Sequence, residues 1–124
     1  MRRSDQRRAA VFALYAREVR GPEEAGSLDD AKPFTRELVE GVEEHEAELN
    51  EEIARLARGW ELARIAALEK SIMRVGLYEL HHRGDVPAEV AIDEAVGLAK
   101  RYCGAEAPAF VNGILGAAAK AEKA

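Results

Sequence analysis

Residues 62–83 read LARIAALEKSIMRVGLYELHHR, and the spacing inside this stretch decides what kind of protein the chain makes. Leu62, Ile65, Leu68, Ile72, Val75 and Leu80 fall on one stripe of a helix. A half-buried strand would need apolar residues at every second position, and clusters of β-branched residues with that alternation are absent from the whole chain. The stretch therefore predicts a long helix with Ala66 as the place for a bend, closed by Gly84 and Asp85. Its length makes it the expected central helix of a bundle.

The flanking segments keep the same period. Upstream, Leu49, Ile53, Leu56 and Trp60 form another stripe, predicting a helix that begins near Ala47. Before it, Pro33 suits a first helical position, and Phe34, Leu38, Gly41 and Val42 carry a helix to about His45. Ser4 can cap a first helix running to about Val19, after which Gly21-Pro22 and the polar residues to Lys32 predict a loop with a mobile tip. Downstream, Pro87 opens a helix whose Ile92, Ala95, Val96 and Ala99 make a face of small residues suited to close approach, until Cys103-Gly104 stops it. Pro108 opens the last helix, with Phe110, Val111, Ile114, Leu115 and Ala118 facing inward before an Ala and Lys tail that frays. Asn112-Gly113, ordinarily a hairpin signal, is overruled by the helical pattern around it. With no internal repeat and no low-complexity linker, the expectation is an all-α protein, a compact bundle of six or seven helices over residues 1–124 in a single domain.

Composition narrows the function. The chain has 124 residues, 48% of them hydrophobic, enough for a core without staples. No apolar run approaches the ~18–20 residues of a membrane span, and Arg17, Glu18 and Arg20 break the run that a signal peptide would need. Cys103 is the one cysteine, which excludes an internal disulfide and a cysteine-built metal cage and makes the reducing cytoplasm the expected setting.

Catalysis finds little support. His81 and His82 are neighbours, about 100° apart around a helix, and cannot jointly grip one ion. Glu79 and His82 are three apart, but no second Glu-x-x-His completes a carboxylate-bridged site, so a solvated helix end is expected and no metal. Glu43, Glu44, Glu46, Glu48, Glu51 and Glu52 read as a solvated helix face. There is no Gly-rich phosphate loop and no plausible Ser, His and Asp series, so the chain is read as no enzyme and without cofactor.

The informative anomaly is at the start. In a chain of net charge −5, Arg2, Arg3, Arg7 and Arg8 crowd one short stretch against the single Asp5. Arginine at a helix N-terminus opposes the macrodipole, costing ~0.3–1 kcal/mol each, so local helix physics does not ask for it. An external polyanion would explain it, because guanidinium forks match phosphate oxygens. No zinc-finger spacing is present, and no second helix carries polar residues suited to major-groove edges, which favours single-stranded RNA. Tyr15, Tyr102 and Phe110 are the available stacking rings.

The ordered segments RRAAVFALY, FTRELVEGV, LEKSIMRVGLYEL, DVPAEVAIDEAVGLAKRY and FVNGIL resemble the NusB family of bacterial transcription antitermination factors over essentially the whole chain. The resemblance implies an all-helical, non-enzymatic protein that binds the boxA element of nascent ribosomal RNA. Its implied partner is NusE, which also serves in the small ribosomal subunit, and together they join the RNA polymerase antitermination complex. It further implies an RNA surface of Arg2, Arg3, Arg7, Arg8, Lys100, Arg101, Glu106 and Phe110, and a partner surface of Arg74, Tyr78, Glu79 and Glu94. Relatives often carry more basic residues where this chain has Ser4, Asp5 and Gln6, so RNA affinity is expected to depend strongly on salt and on NusE. Two other readings remain open at this point. One is a homodimer that masks its arginine surface, and the other is an accessory domain of an RNA methyltransferase, which would require truncation at Ala124.

Overall fold

The computed structural model describes residues 1–22 and 27–123, and among these the regular structure is helical throughout. Six α-helices follow in order: α1 Arg3–Arg20, α2 Pro33–Glu44, α3 Glu46–Leu56, α4 Ala67–His82, α5 Ala88–Tyr102 and α6 Ala107–Lys123. A 3₁₀ turn, Leu62–Arg64, lies between α3 and α4. The tip expected for the first loop includes residues 23–26, which lie outside the described residues. No described helix is long and apolar enough to cross a membrane.

α4 is the axis. Every residue from Ser71 to Leu77 is buried, and the helix packs against each of the other five. Two glycines permit this crowding. A side chain on Gly76 would meet Leu115 Cδ1 at 2.9 Å and Ala95 Cβ at 3.6 Å, so α5 and α6 close on α4 at the level of Gly76. A side chain on Gly41 would land inside the Tyr78 ring, which seals the seam between α2 and α4. α5 presents Ala91, Ala95 and Ala99 to the core, with Ile92 and Val96 only partly covered. One turn between successive alanines gives the flat face that such an approach requires.

The helix ends depart from the sequence reading in instructive ways. α1 begins at Arg3 with Arg2 at the cap position and no side-chain capping bond, so Ser4 lies inside the helix rather than capping it. The start of α2 is held instead from α1: Gln6 Oε1 accepts from the Phe34 amide at 3.0 Å, and the Thr35 hydroxyl donates to the Gln6 carbonyl at 2.9 Å. α3 stops at Leu56, short of the expected Trp60. Ala57 leaves helical geometry at φ −85°, ψ 65°, and Gly59 takes φ 82°, the left-handed conformation that glycine adopts freely. The long helix expected from Leu62 is divided rather than bent, because Ala66 at ψ 139° is extended and α4 starts one residue later. Trp60, expected on the core stripe, is consequently 56% exposed.

Candidate nucleic-acid interface

The sequence-predicted RNA residues separate into four environments. Arg2 and Arg8 of the α1 end and Arg101 of α5 line one groove of about 190 Å³, together with Ser4, Asp5, Glu94, Gly97 and Leu98, so that three arginines face two carboxylates there. Arg2 is the most open, with 86% of its side chain exposed and its Nε 3.8 Å from Asp5, while Arg8 donates to Asp5 at 3.2 Å. Beside the groove, Phe12 and Tyr102 meet edge to face with ring centroids 5.0 Å apart, and Arg101 lies 5.3 Å from the Tyr102 ring centroid. Arg8 and Phe12 stand four residues apart on α1, hence on one face. Lys100 is exposed on the last turn of α5. The result is a short basic track flanked by rings.

Glu106 and Phe110 belong to a second depression, about 390 Å³, shared with Trp60, Arg64, Ile65 and Glu69. Trp60 and Phe110 have ring centroids 6.1 Å apart at 59°, leaving an open, mostly apolar cleft. Burial raises the Glu69 carboxyl pKa in its wall. Trp60 reaches the surface although its stripe position predicts core, and Gly59, two residues after Ala57, is the signal in the sequence that the helix ends before it. The short α5–α6 turn connects this cleft to the Arg101-Tyr102 end of the track.

Arg7 is elsewhere. It is 4% exposed, so its side chain lies inside the protein and not on the RNA surface that the resemblance implies for it; on α1 it shares a stripe with Ala10, Val11 and Leu14. Its Nε donates to both carboxylate oxygens of Glu79, at 3.0 and 2.8 Å, and its Nη2 to Oε1 at 2.7 Å. Nη1 donates to Glu94 at 2.8 Å. Glu79, expected on a partner surface, is 1% exposed and is fully occupied by this pairing. Glu94 keeps 31% of its side chain exposed. Burial alone would lower the Arg7 pKa; the hydrogen bonds and charge of Glu79, then Glu94, outweigh it and raise it. That shift is silent, because a guanidinium is protonated at any accessible pH. Burial lifts the Glu79 pKa, and the hydrogen bonds and charge of Arg7 offset this only in part.

Arg74 is buried in the same way. At 6% exposed, it donates to Asn50 Oδ1 at 2.8 Å and to Glu18 at 2.8 Å, tying α4 to α3 and α1. Tyr78 is half-buried over Gly41. The predicted partner residues thus do not form one patch.

Arg3 leads a fourth cluster. It donates to Asp85 at 3.0 Å and lies over the Phe34 ring at 4.3 Å, while Arg83 binds Asp85 through two nitrogens, at 3.0 and 3.1 Å. The hydrogen bonds of Arg83, then Arg3, hold the Asp85 carboxyl down at about 2. A carboxyl whose folded pKa lies below its unfolded value stabilises the fold above the unfolded value, and loses that contribution as pH falls through the folded one. The expected result is that a carboxyl-carbon NMR titration places the Asp85 midpoint near 2, and that Arg3→Gln moves it upward. A native midpoint near 4 would show the pair to be open in solution.

The arrangement matches that of solved proteins. The sequence pattern of the NusB family matches residues 4–120. The chain belongs to the NusB family. Among its relatives, the transcription antitermination protein NusB of Nocardioides sp. is 38% identical over 122 residues, covering 92% of this chain and 90% of that one. The corresponding protein of Rubrobacter xylanophilus is 39% identical over 125 residues, covering 93% and 88%. In structure, T. maritima NusB superposes with a TM-score of 0.87 at 33% identity, covering 97% of this chain and 92% of that one. A chain from a crystal structure of the antitermination factors NusB and NusE in complex with double-stranded RNA superposes at 0.82 with 26% identity, covering 96% of each. Six helices in a NusB arrangement account for the burial of Arg7, because α1 must lie against α4 for the core to close.

Proposed function

We propose that this NusB-family chain is a cytoplasmic transcription antitermination factor that holds boxA-type RNA jointly with NusE and, in that complex, acts on RNA polymerase. The observation that carries this reading is the convergence of Arg2, Arg8 and Arg101 on one groove beside the Phe12–Tyr102 ring pair, in a chain of net charge −5. A single strand needs cations along its backbone and rings for unstacked bases, and both are supplied here. Lys100 extends the track, and Arg3 contributes by releasing Asp85. The Trp60–Phe110 cleft, with Glu106 as an acceptor for base amino groups, takes a base beyond the α5–α6 turn. Arg7 serves this surface from within by fixing α1 against α4 and α5. For NusE, Glu94 and Tyr78 are the members of the partner set with reachable side chains, whereas Glu79 and Arg74 shape the surface from inside.

The test is a salt series of binding to a boxA-like single strand, with and without NusE, for the native chain and an Arg8→Gln, Arg101→Gln variant. Each lost phosphate contact lowers the slope of log K against log salt by ~0.7, so the variant's slope is expected to be shallower by roughly 1.4 with the fold intact. An unchanged slope would remove the groove from RNA binding. The same measurement on duplex RNA of equal charge distinguishes strand recognition from simple attraction.

A further inference from the structure

The chain has three histidines, far apart in sequence as His45, His81 and His82, and all three converge at one end of the bundle. His45 is the single residue between α2 and α3, Glu48 lies in the first turn of α3, and His82 closes α4. The His45 and His82 rings stack with centroids 3.9 Å apart at 15°, and Tyr78 backs them with its centroid 5.3 Å from that of His82. One ligand-type atom from each of His45, Glu48 and His82 lies within 4.8 Å of the other two, and His45 Nδ1 is 3.7 Å from Glu48 Oε2.

We propose that His45, Glu48 and His82 form a surface site for a divalent transition-metal ion of the zinc class, clipping the end of α4 to the corner between α2 and α3. Tetrahedral zinc holds nitrogen and oxygen ligands at ~2.0–2.2 Å, which leaves the donors ~3.3–3.5 Å apart. The His45–Glu48 separation is already close to that, and the remaining adjustment falls on the exposed His82 and Glu48: because a ring nitrogen's lone pair lies in the ring plane, His82 must turn out of its parallel stack on His45 to share an ion with it. Two imidazoles and a carboxylate are a donor set that zinc, cobalt and nickel prefer and that magnesium and calcium do not. Three protein ligands leave a fourth position open to water.

The surroundings support a cation. Glu48 lines an open depression of about 320 Å³ with Glu51, Glu52, His81 and His82, and Arg55 is its one cationic lining residue. Carboxylates of one sign around a concavity raise the local concentration of cations. His81 is committed elsewhere: its two ring nitrogens pair with Glu52, at 2.7 Å, and with Glu122 of α6. Glu79, the ligand that sequence spacing would have offered to His82, faces Arg7 inside the core and is excluded. The site shares no residue with the RNA track or the Trp60–Phe110 cleft.

The experiment uses the untagged full chain, freed of metal with a chelator, and titrates it at neutral pH with Zn²⁺ by calorimetry and with Co²⁺ by its visible absorption. One equivalent is expected to bind saturably, with cobalt bands of low-coordinate intensity and selective shifts of the His45 and His82 ring signals in NMR. His82→Ala and Glu48→Gln alter exposed side chains and leave the fold intact by circular dichroism, and each is expected to weaken Zn²⁺ binding by about tenfold or more, a loss that even outer-shell partners of a metal produce. His81→Ala is expected to bind as the native chain does. Absence of saturable binding, or equal binding by the native chain and His82→Ala, would overturn the site. A loss on His81→Ala equal to that on His82→Ala would also overturn it, placing the ion at the Glu52–Glu122 pair instead.

Discussion

Arg7→Ala is expected to lower the stability of the protein by about 3–5 kcal/mol, the cost of leaving a buried charge without its partner. The magnitude follows from where the partner sits. Glu79 is 1% exposed and receives three hydrogen bonds from Arg7, so removal of the guanidinium leaves its carboxylate with neither water nor a donor. Glu94 suffers less, since 31% of its side chain can be solvated. The intact pair is not itself a large source of stability, because taking two charges out of water offsets most of what their attraction contributes. Replacing both partners by apolar residues of similar size, Arg7→Met with Glu79→Leu, is therefore expected to restore most of the loss in urea melts. The deficit of Arg7→Ala also has a defined pH dependence. A carboxyl whose folded pKa is raised favours the fold when protonated, so the deficit relative to the native chain shrinks below the ordinary carboxylate pKa and grows as pH rises through the raised one. The same double variant separates structure from function: if it folds and still binds boxA-like RNA with the native salt slope, Arg7 holds the surface without touching RNA. A single Arg7→Ala variant that keeps native stability but loses RNA would mean that the ion pair opens outward on binding.

Gly41→Ala is expected to destabilise the protein by about 1–3 kcal/mol, although alanine favours a helix over glycine by ~1 kcal/mol. A methyl group at this position would occupy the space of the Tyr78 ring. Tyr78 can leave only by breaking its stack on His82 and opening the seam between α2 and α4. Gly113→Ala is the control. It lies exposed within α6 with nothing near a new Cβ, so the substitution is expected to stabilise by about 0.4–1 kcal/mol. In a Tyr78→Ala background the cost at Gly41 should vanish, leaving the helix gain. Thermal and urea unfolding of the native chain, Gly41→Ala, Tyr78→Ala and the double variant form a cycle, and additivity between positions 41 and 78 would contradict the packing described.

Much of the architecture was legible because it is written locally. Pro33, Pro87 and Pro108 each stand within one residue of where a helix begins, and α6 runs through Asn112-Gly113 as its apolar period required. The stretch from Ala57 to Ala66 was not legible. Its apolar residues keep helical spacing, yet the backbone turns at Gly59 and extends at Ala66, because carrying α3 onward would leave α4 without room to pack against it. Trp60 was placed in the core for the same reason and emerges on the surface. Arg7 lies on the stripe of Ala10 and Leu14, which puts it at the rim of the core face, and Glu79 lies seven residues after Ile72, but neither position names the other. His45 carried no signal at all, since the residues that give it meaning belong to another helix.

The sequence by itself determined the helical class, the order of the helices, the presence of a basic leading segment and, outside the stretch from Ala57 to Ala66, the approximate helix ends and buried faces. Each of these follows from residues within a turn or two of one another, where periodicity, proline and glycine act directly on the backbone. Only the tertiary structure decided which arginines of that segment face solvent and which face Glu79, and which histidines meet. Those outcomes depend on pairs of side chains separated by dozens of residues, whose charges and lone pairs acquire partners only when α1, α3 and α4 have closed around a common core.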